Sequence, residues 1–212
     1  KNIEQGQAPG GKEQSAADLL TEGKKWSLKA GMASLELRDK AEMIVGGAPL
    51  NGEGISTYEH QTPTVQIGYF FTDNIAFNAT LGLPPKIDIF AAGTIGALPK
   101  LGEVTYGPTA FTLQYHPTVS GRIRPYVGAG VSYMIVFDEN DGAFQDLNVD
   151  NDLALAFEAG TEILLGKDWG MFLDVKKAFL RPAVTGTFGG AAVETSTKLD
   201  PWVFSGGITF KL

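Results

Sequence analysis

From Trp26 onward, large apolar residues alternate with small or polar ones at a period of two, the pattern of strands whose two faces meet different surroundings. Eight such segments stand out. The first sets Trp26, Leu28, Ala30 and Met32 against Ser27, Lys29 and Gly31, and the second sets Val65, Ile67, Tyr69 and Phe71 against Thr64, Gln66 and Gly68. Ile75, Phe77, Ala79 and Leu81 mark the third, and Phe111, Leu113 and Tyr115 the fourth. Alternate positions from Val127 to Phe137 form the fifth, with Tyr126, Gly128, Gly130 and Ser132 opposite. The sixth runs from Leu153 to Leu165, with Ala154, Ala156, Glu158, Gly160 and Glu162 on its other face. The seventh carries Trp169, Met171, Leu173 and Val175, and the eighth Trp202, Phe204, Ile208, Phe210 and Leu212.

The connections alternate in length. Thr72-Asp73-Asn74, the turn around Pro117 to Ile123, and Gly166-Lys167-Asp168 are short, whereas Arg38 to Gln61, Pro84 to Val104, Asp138 to Asp152 and Arg181 to Asp200 are long. Short turns on one side and long loops on the other describe an up-and-down antiparallel meander. Eight strands are enough to close into a barrel, which removes the exposed edges. Lys1 to Lys25 is rich in Gln, Gly, Ala, Ser, Glu and Lys and reads as a tail with at most a short helix near Ala16 to Thr21. The expected division is therefore a tail over 1–25 and a barrel over 26–212.

Composition narrows the classes. Among 212 residues, 17 basic against 24 acidic side chains give a net charge of −7, which argues against a nucleic-acid partner. An apolar share of 43% with only 19% charged residues argues against disorder. Polar residues interrupt every apolar run before the roughly 18 to 20 positions that a membrane helix needs. The absence of cysteine removes disulfides and Cys-based metal sites, so edge closure has to come from the sheet itself. Because the chain opens on Lys1 with no charged-then-apolar leader pattern, it reads as a mature, processed sequence.

Size decides which face points outward. The interior of an eight-stranded barrel is barely wide enough for side chains, so Trp26, Phe71, Tyr115, Phe137, Phe157, Trp169 and Trp202 cannot all point inward. They face lipid, and the 27 glycines with their Ala, Ser and Thr neighbours suit a narrow lumen. The fold expected is thus all-β: an eight-stranded antiparallel up-and-down transmembrane β-barrel with short periplasmic turns and long extracellular loops. Aromatic residues near strand ends fit an interfacial girdle. A soluble lipocalin-like carrier is the competing architecture, but its G-x-W is replaced here by Gly23-Lys24-Lys25-Trp26. The closing WVFSGGITFKL resembles the C-terminal assembly signal of bacterial outer-membrane barrels, with Leu212 where an aromatic is usual.

Five blocks, in order, carry a family resemblance: FFTDNIAFNATLGLP, VTYGPTAFTLQYH, RPYVGAGVSYMIVFD, GKDWGMFLDVK and LDPWVFSGGITFKL. Together they resemble the OmpW family of outer-membrane proteins, and more closely its AlkL branch. That resemblance implies a barrel in the outer membrane of a Gram-negative bacterium. It also implies inward passage of small apolar molecules through a hydrophobic lumen with a lateral opening, and for the AlkL branch an association with alkane and related hydrocarbon uptake.

Depth then sorts the inward residues, because the termini and short turns belong at the periplasmic end. Toward the loops lie Tyr106, Pro108, Met134, Val136, Ala154, Ala156, Leu180 and Val203, an apolar upper lumen. Toward the turns lie Lys29, Gln114, His116, Arg124, Glu158, Glu162, Asp174, Lys176 and Lys211, a charged lower lumen. An apolar solute partitions into the first and is stopped by the ion pairs of the second, so its favourable exit is sideways. Pro84-Pro85, two consecutive residues without a backbone N–H, mark a lateral gate between the third and fourth strands; paired prolines that simply end a strand are the plainer reading. The resemblance points to Pro84 as well.

Catalysis is poorly supported. With only His60 and His116 and no H-E-x-x-H, metal-site spacing is missing, and a Ser-His-Asp arrangement has only His60, in a loop, to build on. The expectation is no enzyme activity, no cofactor and no metal; an outer-membrane acyltransferase is the enzymatic alternative, and a structural or adhesive barrel the third class. Asp138-Glu139-Asn140-Asp141-Gly142 resembles part of a calcium loop without its closing Glu. The expected partners are a small hydrophobic solute and outer-membrane lipid, with the protein a monomer.

Overall fold

The computed structural model describes residues 24–36, 40–45, 48–50, 54–56, 60–92, 100, 102–117, 121–143, 145–198 and 200–212; the expected tail helix near Ala16 to Thr21 lies outside them. The strands, in chain order, are β1 (Trp26–Glu36), β2 (Lys40–Val45), β3 (Ala48–Leu50), β4 (Gly54–Ser56), β5 (His60–Phe70), β6 (Ile75–Gly82), β7 (Lys86–Ala92), β8 (Gly102–Tyr115), β9 (Ile123–Asp141), β10 (Gln145–Val149), β11 (Asp152–Leu164), β12 (Trp169–Ala178), β13 (Ala183–Phe188), β14 (Ala191–Lys198) and β15 (Trp202–Lys211). Eight of them pair antiparallel in the ring β1-β5-β6-β8-β9-β11-β12-β15, and β15 returns to β1 through Ser27↔Lys211 to Glu36↔Trp202. The barrel is closed, and each member is the alternating segment read from the sequence.

The side chains divide as the size argument requires. Trp26, Phe71, Tyr115, Phe137, Phe157 and Trp169 are exposed on the outer wall, with Leu113, Leu153, Leu155, Leu173 and Ile208 among them. Lys29, Gln66, Asn78, Thr112, Glu162 and Thr209 are buried inside. This inversion is stable only where the outer wall meets hydrocarbon. Glycine makes the lumen passable for its own large residues: a Cβ on Gly160 would lie 2.5 Å from the Tyr126 ring.

The long connections hold more structure than their composition announces. β9 runs for 19 residues, about twice what is needed to cross hydrocarbon, and its extracellular end carries paired chain above the membrane. The fourth alternating segment likewise begins at Gly102, and within the stretch from Pro84 to Val104, expected as a loop, β7 is strand paired to β8. His60, expected in a loop, is the first residue of β5. A separate sheet, β10-β13-β14-β2-β3, stands on the extracellular side.

Candidate functional site

Leu147 and Val149 of β10, Val184 of β13 and Val193 of β14 are buried against Ala33, Leu35 and the upper barrel wall. Tyr106, Met134, Ala154 and Leu180 belong to this same apolar cluster, and Val136 and Val203 pack against it. Below the cap lies a cavity of about 60 Å³ walled by Tyr106, Met134, Leu180 and Val203 together with Pro108 and Ala156. Ala154 and Val136 sit outside its wall, nearer the cap. Leu35, Ala33 and Ala178 complete the apolar lining, and Lys176 closes it from below.

Under the cavity every barrel strand contributes to one polar layer. Glu162 of β11 lies 3.2 Å from Lys29 of β1 and 2.8 Å from Lys211 of β15. Lys176 of β12 bridges Glu158 at 3.0 Å and Asp174 at 2.7 Å. Neutral groups saturate the carboxylates: Thr112 and Gln114 of β8 donate to Glu158 at 2.6 and 2.7 Å. Gln66 of β5 and Tyr126 of β9 donate to Asp174 at 3.0 and 3.2 Å, and Asn78 of β6 donates to Gln66 at 3.3 Å. The ammonium groups also face rings, Lys29 over Tyr126 at 4.2 Å and Lys211 over Phe70 at 4.4 Å. Lys29, Arg124, Glu158, Glu162, Asp174 and Lys176 are each at most 8% exposed. Breaking such a buried pair typically costs about 3–5 kcal/mol, so the layer resists a solute moving straight down.

Beside the cavity the wall is interrupted. The β6–β8 ladder ends at Leu81↔Thr109 and the β7–β8 ladder resumes at Lys86↔Thr105, leaving Gly82 to Pro85 opposite Tyr106 to Pro108. Pro84 is exposed and Pro85 half-buried. Leu83 turns to the other neighbour: its N–H donates to the Pro63 carbonyl at 3.0 Å, and the Thr62 hydroxyl donates to its carbonyl at 2.7 Å. A long bond, from the Tyr106 N–H to the Pro85 carbonyl at 3.4 Å, crosses to β8 here. Pro108 adds a third missing donor from the opposite strand, and its ring occupies the space a Cβ on Gly82 would need, 2.7 Å away. Gly82 and Pro108 both line the cavity.

The OmpW family profile matches residues 22–212. The chain belongs to the OmpW family. Outer membrane protein AlkL of Ectopseudomonas oleovorans is 34% identical over 169 residues, covering 80% of this chain and 74% of AlkL. Its solid-state NMR structure in lipid bilayers superposes with a TM-score of 0.72 at 29% identity, covering 100% and 97% of the two chains. The dibenzothiophene metabolism operon protein PahQ of Pseudomonas aeruginosa is 27% identical over 190 residues, 90% of each chain. The crystal structure of OprG from the same organism shares the fold at a TM-score of 0.83 and 20% identity, over 89% and 96% of the chains. This OmpW-family chain is an outer-membrane barrel, and AlkL and OprG are named as outer-membrane proteins.

Several residues of the family member's site lie beyond the sequence reading. The cap residues Leu147, Val149, Val184 and Val193 fall in segments that read as loops, although Gly189-Gly190, at φ +58° and +83°, between two Thr-containing runs is the signal of a two-residue hairpin. Pro108 reads as lumen lining and proves also to face the interrupted seam. The acidic run at Asp138 holds backbone: Asp141 accepts from the Leu147 N–H at 3.1 Å and Glu139 from the Val149 N–H at 2.5 Å, securing β10. Among the described residues no group of three metal-ligating side chains converges there or elsewhere.

Proposed function

We propose that this barrel is a passive channel for uptake of small hydrophobic molecules, which enter the apolar extracellular half of the lumen and leave sideways into the bilayer between β6 and β8. The observation that carries the reading is where the apolar cavity sits, against the interrupted seam at Gly82 and Pro108 and directly above Lys176 of the charged layer. A solute hiding about 200 Å² of apolar surface from water gains on the order of 5 kcal/mol on entry. Continuing downward would cost a comparable amount in broken ion pairs, whereas Pro84, Pro85 and Pro108 leave few ladder bonds to break sideways. The likeness to AlkL, whose branch is associated with alkanes, and to proteins named for dibenzothiophene metabolism supports hydrocarbons as the class carried. Uptake of an alkane, a terpene, a fatty acid ester and a polycyclic aromatic, compared in cells with and without the protein, tests it. Faster entry of one or more of these without faster entry of sugars is expected; equal rates with and without the barrel would remove the proposal.

A further inference from the structure

The charged layer does not balance. Among the described residues, four inward cations, Lys29, Arg124, Lys176 and Lys211, face three inward carboxylates, Glu158, Glu162 and Asp174. The surplus falls on Arg124. Glu162 is its cross-strand partner on β11, yet that carboxylate is occupied by Lys29 and Lys211. Arg124 is only 8% exposed, and among the described residues its Nη1 has no hydrogen-bond partner. A buried guanidinium with an Nη1 that lacks an acceptor carries a desolvation cost that an oxyanion would remove.

Space for such a group adjoins it. Arg124 lines a cavity of about 110 Å³ at the periplasmic mouth, whose opposite wall is Lys25 of the chain entering β1 and the β5–β6 turn from Phe70 through Thr72. The cavity straddles the barrel rim, because Phe70 is buried inside while Phe71 is exposed on the lipid-facing wall. Just outside, Trp26, Tyr69 and Phe71 form an edge-on aromatic group with centroids 4.8 and 5.3 Å apart, as expected at headgroup level. Lys24, also on the wall, is spent on Asp168 at 2.7 Å, and exposed Lys25 stands beside it. Among the described residues Asp73 is the one carboxylate on the wall, and it is exposed.

From this geometry we infer that Arg124 and Lys25 form a phosphate site at the periplasmic rim, occupied by the headgroup of an inner-leaflet phospholipid. Arginine matches phosphate through its planar fork, and a flanking lysine adds charge. Position favours lipid over the free ion: the cavity is bordered by Phe71 of the lipid-facing aromatic group, at the level where phospholipid phosphates lie. A headgroup held there would neutralise the surplus cation and seal the lower mouth.

The test uses the whole purified barrel in a maltoside detergent. Phosphatidylglycerol binding is followed by native mass spectrometry and inorganic phosphate binding by phosphorus NMR. One retained phosphatidylglycerol is expected, with affinity at least tenfold lower in Arg124→Gln, severalfold lower in Lys25→Gln, and higher in Asp73→Asn. Lys167→Gln, on a neighbouring turn, should leave it unchanged. If Arg124→Gln does not assemble, Lys25→Gln and Asp73→Asn still carry the comparison. Binding of inorganic phosphate with no lipid retained overturns the lipid assignment. Equal loss from Lys167→Gln, or no loss from Arg124→Gln and Lys25→Gln, overturns the site.

Discussion

Gly160 and Glu162, two positions apart on β11, show how little freedom a single residue has inside this barrel. A Cβ on Gly160 would stand 2.5 Å from Tyr126 Cζ and 2.7 Å from Asp174 Cβ, so the ring and the carboxylate it donates to would both have to move. Gly160→Ala is therefore expected to lower stability by about 1–3 kcal/mol, the usual cost of overpacking, measured as a lower urea midpoint for unfolding from lipid vesicles. Glu162→Gln keeps the volume but leaves Lys29 and Lys211 facing each other without their shared carboxylate. That loss should reach about 3–5 kcal/mol. By contrast Asp168→Asn, at an exposed pair with Lys24, should barely move the midpoint, because solvent and salt screen that interaction.

At the scale of elements, the seam between β6 and β8 separates a gate from an ordinary strand end. The chain has no cysteine of its own, so Gly82→Cys with Pro108→Cys would introduce the protein's single thiol pair, at positions facing each other across the interruption. Oxidation should staple the seam and cut hydrocarbon uptake severalfold, and reduction should restore it; uptake indifferent to the redox state would locate the exit elsewhere. Restoring a donor with Pro84→Ala should slow uptake more mildly while assembly persists. The barrel strands themselves were legible because lipid on one side and a narrow lumen on the other enforce strict alternation, as in Trp26 to Met32 or Leu153 to Ala159. The cap strands obey no such rule: β13 and β14 offer Ala, Thr, Gly and single valines, and Val184 and Val193 become core only because the sheet lies over the barrel mouth. The charged layer was legible as inward charges, but its pairing was not, since Lys29 and Glu162 are brought together only by closure of the ring.

The molecule as a whole is a cup with an apolar upper half and a floor tied to all eight walls, and ions report on the floor directly. Lys176 holds Glu158 and Asp174 together in the middle of the layer, within reach of the cavity above. With that bridge spanning the lumen, the protein in a planar bilayer should show no large, stable conductance. Lys176→Ala removes the plug and leaves two buried carboxylates facing the space it vacated. Water would enter to solvate them, because unpaired buried charge costs several kcal/mol, and the lumen would carry net negative charge at that depth. The expected result is a measurable conductance selective for cations over anions, together with faster entry of small polar solutes. Hydrocarbon uptake by the proposed lateral route, which leaves above the layer, should change far less. A variant that folds yet stays closed to ions would show that the remaining packing around Tyr126 and Phe172, and not the ion pairs, is what shuts the lower lumen.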